Sequence, residues 1–176
     1  MRTARRAVAF LIALLAFGVW HYVAWAVSNV EVHLAILDTR AVVASQLTYA
    51  AGNSGFFEAN LSCIRQPSLC GGNDERRSLL TDGDISRIGN LEYRSLIPGQ
   101  PPPRDEIERK RLSPSSVKTF AYVAAPARRA PWWVRYSLVR LPPVFCGDQR
   151  GDVCWLASGS DTLITGLGCP PECRFD

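Results

Sequence analysis

The sequence has few of the side chains that enzymes use to move protons. It contains two histidines, His21 and His33, and both lie in its first fifty residues. General acid–base and nucleophilic catalysis usually recruits a histidine or an activated carboxylate pair. No phosphate-binding glycine motif is present, and the closely spaced aspartates near residues 82 and 148 suit turns and lack the glutamate that completes an EF-hand. We therefore predict a protein that is not an enzyme and has no small-molecule substrate.

The six cysteines include no Cys-x-x-Cys pair and no haem-attachment sequence, which argues against a bound metal. They are even in number and all follow the apolar N-terminal segment, so disulfides in an oxidising compartment are expected. We predict a bond between Cys63 and Cys70. Across a hairpin, Cys146 and Cys154 are expected to face each other, while Cys169 and Cys173 either bond to each other or pin the C-terminus to the sheet.

The first fifty residues lack proline, and no acidic residue precedes Glu31. From Ala7 to Val27 there is no formal charge, and a helix of this length covers roughly 31 Å, the thickness of a bilayer's hydrocarbon core. Three arginines precede it, and they supply most of the net charge of +4. By the positive-inside rule, we predict a cytoplasmic N-terminus (1–6), a transmembrane helix (7–27) in the cell membrane and an extracytoplasmic domain (28–176).

A cleaved secretory signal is the alternative interpretation of this segment. Small residues at Ala24 and Ala26 flank Trp25, which is the pattern of a signal-peptidase site. The uncharged stretch is long for a signal peptide, and the helical pattern continues beyond the proposed cut. Both interpretations place the folded domain outside the cytoplasm.

Beyond the apolar segment, hydrophobic side chains continue to recur every three or four residues. This spacing predicts that the same helix runs on to about Ala51 and turns the stripe toward the core of the outer domain. A Gly-Asn-Ser-Gly sequence starting at Gly52 suits the helix end. The stripe consists of Val30, Leu34, Leu37, Ala41 and Ala44.

After the helix, the hydrophobic period changes to that of strands. Strands are predicted over 91–97, 119–125 and 134–141, and a hairpin pairs 144–146 with 153–156. The proline-rich and then charged residues 100–118 are predicted to be an exposed insertion that carries a short helix. The fold class is therefore α+β, with one long helix packed on an antiparallel sheet of four or five strands.

Two aromatic clusters are candidates for contact with lipid or a partner. The first lies near the outer end of the span and is expected to anchor the helix at the lipid headgroups. The alternative is that its histidine contacts another subunit, a pigment or a haem. The second mixes arginine with tryptophan and suits a protein contact, strand packing or the membrane interface. Nucleic-acid binding is not predicted, because the basic run 104–111 is interleaved with acids. The first cluster is Trp20, His21, Tyr22 and Trp25, and the second is Arg128, Arg129, Trp132, Trp133 and Arg135.

Residues 47–57, followed by 61–64, form a helix end and a loop with glycine and aromatic residues, and residues 145–153 form a turn between two apolar segments. The first stretch resembles the helix-to-loop junction of the type IV pilins and pseudopilins, and the second is similar to their last hairpin. The resemblance implies a helical stalk laid against an antiparallel sheet. The sequence departs from the family at the start of the helix, where it lacks the Gly-Phe processing site and the glutamate that follows it.

These observations favour a single-pass structural or accessory subunit of a larger membrane complex. Energy-transducing complexes are among the candidates for that larger complex. Its partners are expected to be the lipid bilayer and other membrane-protein subunits. One alternative is a minor pilin or pseudopilin of a type IV filament or a type II secretion machine. The other is a soluble domain that is secreted after cleavage near Ala26.

Overall fold

A computed structural model describes residues 2–66, 79–80, 92–126 and 143–175. The chain is α+β, as predicted. This part of the chain contains one long α-helix, two short α-helices and seven strands, which form two small β-sheets. In chain order these elements are α1 (Arg2–Gly52), β1 (Phe57–Glu58), α2 (Leu61–Arg65), β2 (Glu92–Pro98), α3 (Arg104–Lys110), β3 (Ser116–Val117), β4 (Phe120–Pro126), β5 (Val144–Asp148), β6 (Val153–Leu156) and β7 (Arg174–Phe175).

Helix α1 runs without a break from the N-terminal arginines into the folded domain. Good helix formers and the absence of proline allow this length. It ends one residue after the predicted Ala51, where Ser54 and Gly55 take positive φ angles of 55° and 85°. The N–H of Gly55 donates to the carbonyl of Ala50, which closes the last turn of the helix.

The main sheet is fully antiparallel, with the strand order β2-β4-β5-β6-β7. The predicted strands near 91–97 and 119–125 and the hairpin 144–156 are confirmed. The predicted strand 134–141 lies outside the described residues, and the fifth strand, β7, was not predicted because it contains only Arg174 and Phe175. A separate two-stranded sheet pairs β1 with β3.

Both faces of the main sheet are covered. On one face, the helix side chains Val42 and Val43 pack with Phe120 and Tyr122 of β4. The opposite face carries the alternate residues of β4, β5 and β6, and the C-terminal segment after β6 covers it. The residues of this second core are Ala121, Val123, Ala125, Val144, Cys146, Cys154, Leu156, Ile164 and Cys173.

The predicted exposed insertion 100–118 is wrong in part. Its short helix exists as α3, but Pro102, Leu112 and Val117 are buried, and β3 pairs with β1. Val117 belongs to the same core as the helix side chains. This segment therefore closes the end of the domain beside the last turns of α1.

The predicted core-facing stripe of α1 is wrong for most of its members. Val30, Leu37 and Ala44 are exposed and Leu34 is half-buried, while Ala41 is half-buried and packs against the core. The face that packs on the sheet is rotated from the predicted one and includes polar residues. Its buried members are Ala35, Asp38, Thr39, Val42, Val43, Ser45, Gln46, Tyr49 and Ala50. The domain therefore uses the mixed face of α1 and leaves most of the predicted stripe exposed.

Candidate functional site

The N-terminal half of α1 is an apolar helical segment whose side chains are mostly exposed. Val8–Ala26 is long and apolar enough to cross a membrane, with a mean hydropathy of 1.9 and 6% of the stretch buried. The side chains of Phe10, Leu15 and Val19 are each at least 60% exposed. A soluble helix would bury such residues in its own domain, so this one suits either a membrane anchor or a signal sequence.

The predicted aromatic cluster lies at the domain end of this segment. Trp20, Tyr22 and Trp25 are about half exposed or more, at 49%, 68% and 57%. His21 is partly buried because its ring contacts that of Phe17 edge-on, at 5.4 Å between centroids. This arrangement fits rings that point outward at a headgroup layer. The second candidate cluster, which consists of Arg128, Arg129, Trp132, Trp133 and Arg135, lies outside the described residues.

Beyond the span, α1 presents a continuous exposed surface that we call the outer stripe. Its members are spaced alternately by three and four residues, as at the contact positions of a coiled coil. Leu37 is 59% exposed and Leu47 is 37% exposed. The outer stripe consists of Val30, His33, Leu37, Arg40, Ala44 and Leu47.

A groove of about 410 Å³ borders the outer stripe. One wall is α1, from Arg40 to Leu47, and the other is the β5–β6 turn with Asp152 and the exposed ring of Phe175 from β7. The groove therefore joins apolar surface to one cation and one anion. Sequence reasoning missed this surface, although the heptad spacing was a usable signal, because the same spacing also predicts burial on the sheet.

The end of α1 is held to the rest of the folded domain by a buried amide. The Gln46 side chain donates to the Glu58 carbonyl at 2.7 Å and accepts from the Glu58 N–H at 3.0 Å. Both residues are fully buried, and Tyr49 donates to the Glu58 carboxylate at 3.0 Å. Gln46 thus occupies the open edge of β1 as a neighbouring strand would, while β3 pairs with the other edge.

Replacing Gln46 with leucine is expected to lower the free energy of unfolding by about 2 kcal/mol, because two buried backbone groups of Glu58 lose their partners. Thermal unfolding of the full chain in detergent micelles, followed by circular dichroism, measures the change. The matched control is Thr48→Ala on the exposed side of the same turn, for which we expect a change below about 0.5 kcal/mol. Equal effects of the two substitutions would contradict the role given to Gln46.

The cysteines pin the C-terminal segment to the sheet. Cys146 of β5 is bonded to Cys169, and Cys154 of β6 is bonded to Cys173. Cys146 and Cys154 do lie opposite each other in the hairpin register, as predicted, but each bonds to the C-terminal segment. Of the two options for Cys169 and Cys173, the structure has the one that pins the C-terminus. Cys63 is disulfide-bonded, and its predicted partner, Cys70, lies outside the described residues.

A buried carboxylate locks the same segment in place. Asp148 is 1% exposed and accepts hydrogen bonds from the Arg150 guanidinium at 2.7 Å and the Cys169 N–H at 2.8 Å. Burial by itself would raise the pKa of Asp148. The hydrogen bonds from Arg150 and from the Cys169 N–H outweigh that effect, so the pKa lies below its ordinary value of 3.8.

The lowered pKa makes the stability of this lock depend on pH. A carboxyl group whose pKa is lowered by folding stabilises the fold above its unfolded pKa, and this contribution is lost as the pH falls through the folded value. We expect Asp148→Asn to cost about 2 kcal/mol at pH 7, since a charged hydrogen-bond acceptor is removed. We measure unfolding from pH 7 to pH 2. The difference in unfolding free energy between the wild type and Asp148→Asn should shrink below about pH 4. A loss that stays constant over this range would contradict the charged role of Asp148.

Within the described ranges, no group of three or more histidine, cysteine or acidic side chains is placed to hold a metal ion. The predicted turn role of Asp148 agrees with its contacts. Comparison of the chain with protein-family models, with curated proteins and with solved structures gives no match.

Proposed function

We propose that this protein is a non-enzymatic, single-pass accessory subunit of a larger membrane complex. The observation that carries the proposal is the continuity of α1. One helix has an exposed apolar half long enough for a bilayer and a second half that supplies the core of a disulfide-bonded domain. Anchor and domain are therefore one rigid element, and the domain is held at a fixed height above the membrane.

The proposed orientation has the N-terminus in the cytoplasm and the domain outside. Arg2, Arg5 and Arg6 precede the span, and the first acid follows it at Glu31, which fits the positive-inside rule. The disulfides fit an oxidising compartment on the other side. Both observations support a periplasmic or other extracytoplasmic location of residues 28–176.

The test is purification of the full chain from its native membranes in a mild detergent. We expect the protein to resist carbonate extraction and to elute with other polypeptides, at a mass well above its own 19.4 kDa. A lone monomer without co-purifying subunits would contradict the proposal. No cofactor is proposed. If His21 contacted a pigment or a haem, the purified protein would absorb visible light, and a His21→Phe variant would lose that absorbance band.

A minor pilin or pseudopilin is the second candidate, favoured by the packing of a long N-terminal helix on an antiparallel sheet. The missing glycine and glutamate at the start of the helix weigh against it. The mass of the mature N-terminus separates the candidates. An intact chain supports the anchored subunit, a cut inside the helix near its start supports the pilin, and a start at Val27 supports the secreted domain.

A further inference from the structure

The outer stripe is too far from the bilayer for lipid to cover it. Leu47 lies 21 residues beyond Ala26 in the same unbroken helix, which places it roughly 31 Å along the helix axis from the end of the candidate span. Leu37 is about halfway along this distance and is 59% exposed. Lipid chains end near Ala26, so another molecule has to cover these side chains if they are covered at all.

The pattern of the outer stripe suits a helix as the occupant. Alternating steps of three and four residues keep its members on one side of α1 over five turns, and this is the seam through which two helices pack lengthwise. The bordering groove follows the same helix from Arg40 to Leu47, with Phe175 on its far wall. A second helix laid on the stripe would bury Leu37, Leu47 and part of the Phe175 ring.

Charge indicates the chemistry of that helix. Arg40 lies in the middle of the stripe, and within the described part of the chain no carboxylate pairs with it. An arginine enclosed in a helix interface is stabilised by a carboxylate opposite it and is costly without one. Asp152, on the other wall of the groove, disfavours a second acid on that side.

A second copy of this chain fits this surface less well. Two parallel copies related by a two-fold axis meet through the same positions, so Arg40 would face Arg40 and His33 would face His33. Like charges opposed in a helix interface are repulsive. A different protein escapes this restriction.

We propose that the outer stripe is the docking surface for one helix of a different membrane-anchored protein, which leaves the bilayer beside α1 and carries a carboxylate opposite Arg40. The inference rests on the proposed function, because both chains must be anchored in the same membrane. It specifies which part of the subunit makes the contact outside the bilayer.

The test is site-specific photocrosslinking of the full chain in its native membranes. A benzophenone side chain is placed at Leu37 or Leu47 in the outer stripe. The control sites are Leu163 and Leu167, which are 54% and 68% exposed and lie off the stripe. We expect both stripe positions to link to one other protein, within about 20 residues of one of its transmembrane helices, in a segment with heptad spacing and an aspartate or glutamate. Adducts only to this same chain, or none to protein, would overturn the inference.

An Arg40→Glu variant tests the proposed pairing of Arg40 with a carboxylate on the partner helix. We expect it to reduce the Leu37 crosslink roughly tenfold or more, because an attractive pair becomes repulsive. Arg109→Glu, on the exposed surface of α3, should leave the yield unchanged. A lysine in place of the identified carboxylate should restore the link to the Arg40→Glu variant. An unchanged yield with Arg40→Glu would contradict the proposed pairing.

A benzophenone at Leu15, within the span, separates the two proposals. If Leu15 links to another protein and the outer positions do not, the docking inference fails and the accessory-subunit function stands. If Leu15 links only to lipid and the purified protein is a lone monomer, both fail. Links from the span and from the stripe to the same partner support both.

Discussion

Replacing Gly147 with valine is expected to lower the free energy of unfolding by about 4 kcal/mol. Gly147 lies in the central strand, β5, directly under α1. A Cβ atom at this position would meet the Val43 Cγ2 at 2.4 Å and the Thr39 Cγ2 at 2.9 Å. Both neighbours are β-branched and stiff, so the helix and the sheet would have to move apart.

Thermal and urea unfolding of the full chain in micelles measure this effect. Gly147→Ala should give an intermediate loss, since it adds the Cβ without the branch. Gly52→Val is the matched control, because a Cβ at Gly52, at the end of α1, meets no atom within 4 Å. If the variants at Gly147 and Gly52 lose the same stability, the close approach of helix and sheet is not what Gly147 provides.

Removing both C-terminal disulfides is expected to cost roughly 5 kcal/mol and to unfold the back of the sheet. The bonds span 23 and 19 residues, and closing a loop of that size is worth about 3 kcal/mol for each bond. The two loops overlap, so the combined effect should be smaller than the sum. The second core would then be exposed, because the segment that covers it is no longer held.

The paired variants are Cys146→Ala with Cys169→Ala, and Cys154→Ala with Cys173→Ala, made separately and together. We expect a protease to cleave the chain after β6 in the combined variant and to spare the wild type. Dithiothreitol should destabilise the wild type more than the combined variant, which retains only the bond at Cys63. Resistance of the combined variant to the protease, or equal destabilisation of the two proteins by dithiothreitol, would contradict the proposed role of these bonds.

Much of the fold could be predicted because periodicity and turn residues carry local information. The end of α1, the strands β2 and β4, and the β5–β6 hairpin were found in this way. The orientation of α1 about its axis could not be predicted. Two faces of α1 could pack on the sheet, and the face that does so contains Thr39 and Gln46. The Thr39 hydroxyl donates to the Ala35 carbonyl in the preceding turn, and the Gln46 amide donates to the Glu58 carbonyl beyond the end of the helix.

The candidate site was predictable only in its apolar N-terminal half, where length and hydrophobicity decide. Three members of the outer stripe, Val30, Leu37 and Ala44, belonged to the predicted stripe, which was assigned to the sheet and not to the exposed surface. β7 could not be predicted because two residues carry no period, and its position depends on the bond from Cys173 to Cys154. Long-range pairing of this kind leaves no trace in local sequence.

The connectivity of the disulfides has a consequence for biogenesis. Cys146 and Cys154 receive their partners from positions 169 and 173, close to the end of the chain. Until residues 169 and 173 reach the sheet, two thiols lie opposite each other on adjacent strands, where oxidation can join them to each other instead. Native pairing therefore requires the segment after β6 to pack on the sheet before the hairpin thiols are oxidised, and a chain truncated before Cys169 would leave these two thiols without their native partners.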